Sequence, residues 1–343
     1  MNRSIKKVAV LGSGIMGSRI ACQFANVGVE VLLLDIVPKE LTDKEKAQGL
    51  TLDDSRVRNR IVSDAFNAAI KSKPAALYSQ GFADRIALGN FEDNMSDIAN
   101  YDWVIEVVVE NLDIKKIVFD QVEEYRTPGT LITSNTSGIP INLMSEGRSD
   151  DFKKNFCGTH FFNPPRYLEL LEIIPTPESN PEMIDFLMHY GDRILGKTTV
   201  LCKDTPAFIA NRVGIYAILK VVDSMQKYGL NIDQIDKLTG PVIGRPKSAT
   251  FRTSDVVGLD TLVHVANNLY AALVDDESRD TFKLPEVIDQ LKENNWLGDK
   301  TQQGFYKKTK DERGKTAILT LDLDSMEYKP KAKAKFATLE LTK

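Results

Sequence analysis

Residues 7–17, KVAVLGSGIMG, decide the fold that this sequence predicts. A short apolar run suited to a β-strand, residues 7–11, leads directly into glycines spaced as GxGxxG, and a helix-like pattern of small and apolar residues follows as far as Gly28. A second apolar run, residues 31–34, ends in Asp35. A strand, a glycine loop and a helix in this order, with an acid at the end of the next strand, are typical of a dinucleotide-binding fold.

The glycines of this loop serve different physical purposes. Gly12 permits the tight turn, Gly14 lets backbone amides approach a pyrophosphate, and Gly17 lets the helix pack closely on the strand. The amides at a helix N-terminus attract an anion. Asp35 would accept hydrogen bonds from ribose hydroxyls and repel a 2′-phosphate, and no arginine follows it directly. The pattern therefore favours NAD over NADP; the alternative is a packing loop that binds nothing.

Composition and charge exclude several other classes of protein. The 343 residues include 44 Lys+Arg and 48 Asp+Glu, for a net charge of −4, and 42% are hydrophobic, so the chain can build a core and has no basic footprint for nucleic acid. The apolar runs are too short to span a bilayer, and the N-terminus lacks the pattern of a signal peptide. Cys22, Cys157 and Cys202 stand far apart, which argues against disulfides or a zinc site. We expect a soluble, reduced, cytoplasmic protein of about two domains without a metal ion.

Two further apolar runs predict buried strands that bring polar residues to one edge of the sheet. Residues 103–110 form the first run and residues 131–134 the second, which is followed by the polar turn 135–138. Ligands of open α/β sheets bind at the carboxyl ends of strands. Acids inside apolar runs are costly to bury, and Glu110, at the end of its run, is a better functional candidate than Glu106.

Only three histidines occur, and His160 is the candidate for acid–base chemistry. His189 and His264 lie in helix-like stretches and are expected to be ordinary packed or surface residues. A neutral imidazole at His160 can take the proton that an alcohol loses as its hydride leaves, and a carboxylate on its other ring nitrogen would stabilise the imidazolium. Glu169 and Glu172 compete for that place; they have opposite parity in a strand, and spacing alone does not choose between them.

Two other regions are less informative. Residues 38–50 are polar and predict a loop, whereas residues 56–73 predict a basic helix that is either a solvated face or a surface for the phosphates of a large anionic substrate. After residue 206, apolar side chains recur every fourth position and predict one buried stripe of a long helix, namely Ile209, Val213, Ala217, Val221 and Met225.

Six segments, taken in order, resemble the 3-hydroxyacyl-CoA dehydrogenase family of fatty-acid β-oxidation over roughly residues 5–307: VAVLGSGIMGSRIA, EVVVENLDIKK, SNTSGI, GTHFFNPPRYLELLEII, DTPAFIANRV and WLGDKTQQGFY. The resemblance implies oxidation of an L-3-hydroxyacyl-CoA to the 3-ketoacyl-CoA by NAD. It makes His160 the general base and Glu172 the carboxylate that orients it, with Ser137 and Asn211 holding the hydroxyl and thioester region. The implied dinucleotide contacts are Gly12, Ser13, Gly14, Ile15, Met16, Gly17, Asp35, Glu110, Lys115, Ser137, Asn163 and Lys300.

The resemblance also implies an α/β Rossmann-type NAD-binding domain over residues 1–204 and an all-α C-terminal domain over 205–307, with an acyl-CoA as substrate. In this family the helical domain usually mediates a homodimer. Residues 308–343 are expected to be a solvated tail or a linker to a domain absent from this chain. Segments 165–167 and 245–250 depart from the family pattern and resemble the dehydrogenase part of longer bifunctional proteins, which also carry an enoyl-CoA hydratase.

Two other functions are weighed against this one. A relative that acts on a non-CoA hydroxy acid would use the same histidine–glutamate chemistry, and a crystallin-like binding protein would keep the fold without the reaction. The joint presence of His160, Glu172, Ser137 and Asn211 argues against a non-catalytic scaffold. No crotonase-like sequence is present, so we expect no hydratase activity.

Overall fold

The computed structural model describes residues 3–340 and divides the chain into two compact units, Met1–Phe208 and Ile209–Lys343. No helix within residues 3–340 has both the length and the apolarity needed to cross a membrane. The division falls after Phe208, four residues beyond the boundary at residue 204 that the resemblance implies.

The first unit is built on one eight-stranded sheet with the order β3-β2-β1-β4-β5-β6-β7-β8. All neighbouring strands are parallel except β6 and β7, which are antiparallel. The predicted Rossmann-type architecture is therefore confirmed. The strands are β1 (Lys7–Leu11), β2 (Glu30–Asp35), β3 (Ile86–Asn90), β4 (Trp103–Glu106), β5 (Leu131–Ser134), β6 (Phe156–Phe161), β7 (Leu170–Pro175) and β8 (Thr198–Leu201).

Helices cover both faces of this sheet, which is why its central strands read as continuous apolar runs. On one face the α1 side chain Phe24 meets Trp103 of β4 edge to face at 5.2 Å, and on the other Phe119 of α6 meets Phe156 of β6 at 5.3 Å. The helices are α1 (Ile15–Asn26), α2 (Asp43–Ala47), α3 (Ser55–Arg58), α4 (Arg60–Ile70), α5 (Phe91–Asn94), α6 (Leu112–Tyr125), α7 (Ile141–Ser145), α8 (Asp150–Lys154) and α9 (Pro181–Arg193), with 3₁₀ turns at Gln80–Arg85 and Met95–Asn100.

The region between β2 and β4 differs from the prediction in two places. The expected loop over residues 38–50 contains α2, whose N-terminus is fixed by a reciprocal capping box between Thr42 and Glu45. The expected helix over residues 56–73 is present as α3 and α4, which meet at Asn59. Strand β3 was not predicted at all, because its short sequence IALGN contains a glycine and only three apolar residues.

The basic residues of α3 and α4 are paired with acids. Arg58 bonds both Glu92 and Asp93, each within 2.8 Å, and Arg60 bonds Glu45. Arg56 likewise contacts Asp54. These guanidinium groups therefore already form ion pairs with acids of the same chain. Of the two predicted roles, a solvated face fits this arrangement better than a surface that binds substrate phosphates.

The second unit is mainly helical, as predicted, and it adds a small antiparallel sheet. Its helices are α10 (Ala210–Tyr228), α11 (Ile232–Leu238), α12 (Phe251–Val257), α13 (Leu259–Ala272), α14 (Glu286–Glu293) and α15 (Ala337–Glu340), with 3₁₀ turns at Pro241–Ile243, Arg279–Phe282 and Asp299–Thr301. Its strands are β9 (Tyr306–Lys310), β10 (Thr316–Asp322) and β11 (Glu327–Pro330), in the order β11-β10-β9.

Of the predicted apolar stripe of α10, Met225 is buried, but the prediction is wrong for Ile209 and Val213, which are exposed. The buried side chains are Leu219, Val222 and Met225, whereas Val213 is 60% exposed. An α-helix has 3.6 residues per turn, so a four-residue spacing drifts around the helix instead of following one face. Leu219, Val222 and Met225 are spaced by three residues, and they lie on one face of the helix.

The expectation of a tail or linker after residue 307 is wrong for residues 308–330. Strand β10 pairs with β9 and β11, its Leu321 is buried, and Thr320 Oγ1 donates to Asp233 Oδ1 of α11 at 2.9 Å. A turn at Asp311, which accepts from the amides of Arg313 and Lys315, joins β9 to β10. The alternation in residues 317–321 is thus that of a half-buried strand.

Candidate active site

The glycine loop lies between β1 and α1, where close backbone contacts leave no space for side chains. Gly12 has a φ of +104°, and a Cβ there would lie 2.6 Å from the Val107 carbonyl oxygen. A Cβ on Gly17 would overlap the carbonyl oxygen of Gly12. Both glycines are therefore required by the tight passage of the chain between β1, β4 and α1.

Gly14 differs, and its surroundings fit a phosphate group. A Cβ on Gly14 would meet no atom within 4 Å, so the space beside it is open. Helix α1 begins at the next residue, and its first turn contains no acidic residue. Ile15 is exposed beside this space, whereas Met16 packs on the core. Amides of a helix N-terminus that face an open space without a nearby acid suit the pyrophosphate of a dinucleotide.

Asp35, at the end of β2, is joined directly to this loop. Its carboxylate accepts hydrogen bonds from the backbone amide of Ser13 at 2.6 Å, from the Ser13 hydroxyl at 2.5 Å and from the Ile36 amide at 2.7 Å. The side chain is half-buried. Asp35 therefore fixes the shape of the loop and keeps a carboxylate beside it, where a ribose bound at the loop would lie.

A buried ion pair supports the neighbouring edge of the sheet. Strand β4 ends at Glu106, and Lys115 of α6 places its Nζ 2.8 Å from the Glu106 carboxylate, to which the Ser134 hydroxyl donates at 2.5 Å. Burial raises the pKa of Glu106, while the Lys115 ammonium and the hydrogen bonds act in the opposite direction. The hydrogen bonds to both carboxylate oxygens offset part of the cost of burying these charges.

Glu110 lies above this pair, in the loop between β4 and α6. Its carboxylate accepts from the Thr136 hydroxyl at 2.6 Å and the Ser137 amide at 2.9 Å, and Lys115 Nζ is 3.4 Å away. Burial alone would raise the pKa of Glu110, but Lys115 and these donors lower it below its usual value. Glu110 thereby holds the loop after β5, and the Ser137 side chain remains exposed at the carboxyl edge of the sheet.

The structure places Lys115 beneath the site rather than on its surface. The side chain is 1% exposed, and its ammonium is enclosed by Glu106, Glu110 and the Val108 carbonyl oxygen. A direct contact between Lys115 and a dinucleotide does not fit this enclosure. The contribution that does fit is to hold Glu110.

His160 and Glu172 form the central pair of the site. They stand opposite one another in the antiparallel pairing of β6 and β7, and His160 Nδ1 lies 2.7 Å from Glu172 Oε2. His160 is 4% exposed and Glu172 is fully buried, with the rings of Phe162 and Phe208 centred 4.4 and 5.7 Å from the imidazole. Glu169 precedes β7 and is exposed. Strand pairing thus selects Glu172, which spacing alone could not do.

The remaining site residues divide between the units. Asn163 follows β6, and its side-chain oxygen accepts from Arg19 of α1 at 2.7 Å, which joins the histidine strand to the helix of the glycine loop. Asn211 and Lys300 belong to the second unit: Asn211 lies in the first turn of α10, and Lys300 forms an ion pair with Asp260. Among residues 3–340 no cluster of three or more histidine, cysteine or acidic side chains could hold a metal ion.

Two contributors to this site were not predicted from the sequence. The sequence favours Glu110 over Glu106 as a functional acid, although a buried acid needs a partner and Lys115 is the cation that follows on the next helix. Arg19 carried no signal, because its partner Asn163 is distant in sequence.

Comparison with known proteins identifies the family. Residues 7–205 match the NAD-binding domain of 3-hydroxyacyl-CoA dehydrogenase, and residues 208–308 match its C-terminal domain. The chain belongs to the 3-hydroxyacyl-CoA dehydrogenase family. The glycine loop, Asp35 and Glu110 therefore lie in an NAD-binding domain, and NAD is the cofactor of this family model.

Individual relatives agree with this family. A "probable 3-hydroxyacyl-CoA dehydrogenase" of Bacillus subtilis is 50% identical over 100% of this chain, which spans 43% of that protein. One of Deinococcus radiodurans is 43% identical over 92% of this chain and 86% of its own length. Among solved structures, (S)-3-hydroxybutyryl-CoA dehydrogenase from Ralstonia eutropha superposes with a TM-score of 0.67 at 25% identity, covering 88% of this chain and 98% of that one.

Proposed function

We propose that this chain catalyses the reversible, NAD-dependent oxidation of an L-3-hydroxyacyl-CoA to the 3-ketoacyl-CoA, as in fatty-acid β-oxidation. The observation that carries the proposal is the buried His160–Glu172 pair, with Nδ1 and Oε2 2.7 Å apart, in a domain of the matching family. The solved relative from Ralstonia eutropha acts on 3-hydroxybutyryl-CoA, which supports a CoA thioester as the substrate class.

His160 supplies the acid–base step of this reaction. Because Glu172 occupies Nδ1, the other ring nitrogen, Nε2, is the one that takes the proton of the substrate's C3 hydroxyl. Glu172 keeps the imidazole in the tautomer that leaves Nε2 free and stabilises the imidazolium that results. In the reverse direction His160 returns this proton to the ketone oxygen. NAD held at the α1 amides and Asp35 would supply the acceptor for the hydride that leaves C3.

The other side chains hold the reactants. The α1 amides beside Gly14 bind the pyrophosphate, Asp35 accepts from the ribose hydroxyls, and Glu110, supported by Lys115, keeps the Ser137 loop in place. Ser137 and Asn211 hold the hydroxyl and thioester region of the substrate, and Asn163 and Lys300 complete the cofactor contacts. These assignments follow the family pattern; the enclosure of Lys115 by two carboxylates supports an indirect part for that residue.

We also propose a homodimer formed through the second unit, or assembly within a longer multifunctional chain. Support comes from exposed apolar side chains on α10, such as Val213 and Tyr216. A sedimentation-velocity experiment distinguishes a monomer from a dimer directly. A monomer at micromolar concentration would contradict the homodimer.

Absorbance at the NADH band tests the reaction, with acetoacetyl-CoA compared with free acetoacetate and a sugar acid. We expect NADH consumption with the thioester only. Consumption with a free acid would contradict the CoA requirement, and no consumption in the presence of bound NADH would contradict the activity itself. Lack of turnover in a His160→Ala variant that still binds NADH would assign the reaction to this site.

A further inference from the structure

Lys197 is a buried ammonium group that the proposed reaction does not use. It stands immediately before β8 and is 6% exposed. Its Nζ donates to the Leu168 carbonyl oxygen at 2.8 Å and to that of Pro165. Within the part of the chain that the structure describes, the acceptors of its ammonium are these two carbonyl oxygens rather than a carboxylate.

This arrangement is costly, which indicates that something depends on it. Burial lowers the pKa of Lys197 to about 8, and the nearby carboxylate of Glu169 acts in the opposite direction. A buried charge that is satisfied by neutral carbonyl groups is retained against its desolvation cost. An apolar side chain of similar length would fill the same space without that cost.

The two carbonyl groups belong to the loop that joins the catalytic strands. Residues 162–169 connect β6, which carries His160, to β7, which carries Glu172. Because Lys197 bonds this loop at Pro165 and Leu168, it holds the inner side of the loop at two points. The loop contains no helix or strand of its own. Its Glu169 carbonyl oxygen accepts from the Thr198 amide at 2.8 Å, and the two Lys197 hydrogen bonds add side-chain contacts at Pro165 and Leu168.

The outer side of the same loop reaches two other parts of the first unit. Asn163 accepts from Arg19 of α1 at 2.7 Å. Arg166 donates to the Ala75 and Leu77 carbonyl oxygens, each at 2.8 Å, and its guanidinium lies 4.2 Å from the Tyr78 ring centre. Residues 162–169 thus link the His160 strand to the glycine-loop helix on one side and to residues 75–78 on the other.

We propose that Lys197 is a positioning residue for the cofactor: it holds the loop 162–169 so that Asn163 stays against Arg19 and beside the glycine-loop helix. The expected effect of Lys197 on turnover rests on the proposed function. The expected effect on the affinity for NADH does not depend on it. A small displacement of a contact residue costs binding and rate without any change in the chemical groups present. Lys197 acts through Asn163 and touches no reacting atom.

A double-mutant cycle tests this proposal. The Kd for NADH is measured for each variant of the full chain by a titration in which NADH fluorescence is the signal. We expect Lys197→Met to raise the Kd for NADH about tenfold and Asn163→Ala to raise it to a similar extent. The double variant should bind no more weakly than either single variant, since both remove the same interaction. Lys197→Arg, which retains donors for both carbonyl groups, should restore binding to within about threefold of the wild type.

Controls separate positioning from general loss of structure. Lys154→Met removes an exposed lysine of α8 and should leave the Kd unchanged. Thermal unfolding should show that Lys197→Met is folded at the assay temperature. In the acetoacetyl-CoA assay, the variant should raise the KM for NADH more than it lowers kcat.

Three results would overturn the proposal. The first is an unchanged Kd for NADH in Lys197→Met, and the second is additive effects of Lys197→Met and Asn163→Ala on that Kd. The third is loss of folding in both Lys197 variants, which would show that Lys197 serves stability alone. If wild-type protein binds NADH but does not reduce acetoacetyl-CoA, the proposed function fails, whereas the titrations still decide the part of Lys197.

Discussion

At the scale of single residues, the pairing of β6 with β7 explains why one glutamate and not its neighbour supports His160. Glu172 stands directly opposite His160 in register, and its carboxylate is buried against the imidazole. Glu169 lies outside β7 and faces solvent. Parity along one strand shows only that the two acids face opposite sides; the partner strand decides which side contains the histidine.

Replacement of the two glutamates tests this difference. Glu172→Gln keeps the size of the side chain but removes the charge that stabilises the imidazolium and permits the wrong histidine tautomer. We expect kcat to fall by about 10²–10⁴-fold, the range typical of impaired general-base catalysis. Glu169→Gln is the matched control and should change kcat less than twofold. A larger loss with Glu169→Gln than with Glu172→Gln in steady-state assays would contradict the assignment.

A second prediction at this scale concerns the choice of cofactor. Asp35→Ala removes the carboxylate that would accept from the ribose hydroxyls and repel a 2′-phosphate. We expect KM for NADH to rise about tenfold and the preference for NADH over NADPH to fall, measured as a ratio of kcat/KM values. Asp64→Ala, on the exposed side of α4, is the control. An unchanged preference would show that Asp35 only shapes the loop through Ser13.

At the scale of secondary-structure elements, the sequence predicts those whose signal is local. The β1–α1–β2 segment has a continuous apolar strand, a glycine loop and an acid in fixed order, and all three appear where expected. Helix α2 and strand β3 were missed because a short polar helix depends on its capping box and a short edge strand on its partner β2. The Lys115–Glu106 ion pair was likewise not predictable from a local signal, because it depends on the packing of α6 against β4.

The small sheet of the second unit is held by α11 through Asp233. Its carboxylate accepts from Thr320 of β10 at 2.9 Å and from the Ala332 amide at 2.7 Å, and it is buried. Asp233→Ala leaves both donors unsatisfied, so we expect a loss of about 1–3 kcal/mol in the free energy of unfolding. Urea denaturation measures this, with Asp275→Ala as an exposed control. An effect no larger than that of the control would mean that β10 contributes little to stability.

Strand β9 is fixed by another buried acid, and this one predicts a pH dependence. Asp255 accepts from the amides of Phe305 and Tyr306, both at 2.8 Å, and burial raises the pKa of its carboxyl to about 6. This pKa lies above that of an aspartate in the unfolded chain. Asp255 therefore contributes to the free energy of unfolding at about pH 4, where it is protonated in the fold, and this contribution is lost as the pH rises through about 6.

The expected size of that loss is on the order of 3 kcal/mol. It is measured as the difference in unfolding free energy between wild type and Asp255→Asn, which cannot ionise. We expect this difference to fall between pH 4 and pH 7 as Asp255 gains its charge in the wild type. A difference independent of pH would show that the two backbone donors keep the carboxylate ionised throughout.

At the scale of the whole molecule, the residues that we propose for the cofactor and the substrate are unequally divided between the two units. The glycine loop, Asp35, Glu110, Ser137, Asn163, His160 and Glu172 all lie before Phe208, whereas Asn211 and Lys300 lie after it. The first unit also contains its own apolar cores on both faces of its sheet. A unit with a complete core and a continuous sheet is expected to fold independently.

We therefore expect the first unit, when produced alone, to bind NADH but not to catalyse the reaction. A fragment of residues 1–208 keeps Phe208 against the His160 ring and retains the α1 amides, Asp35 and the Lys197-held loop. We expect it to bind NADH within about fivefold of the full chain in a fluorescence titration, because, of the proposed cofactor contacts, it lacks Lys300 alone. Its turnover of acetoacetyl-CoA should fall more than 10²-fold, since Asn211 is absent. A fragment that retained turnover would show that Asn211 is dispensable, and one that was folded but failed to bind NADH would place the decisive cofactor contacts in the second unit.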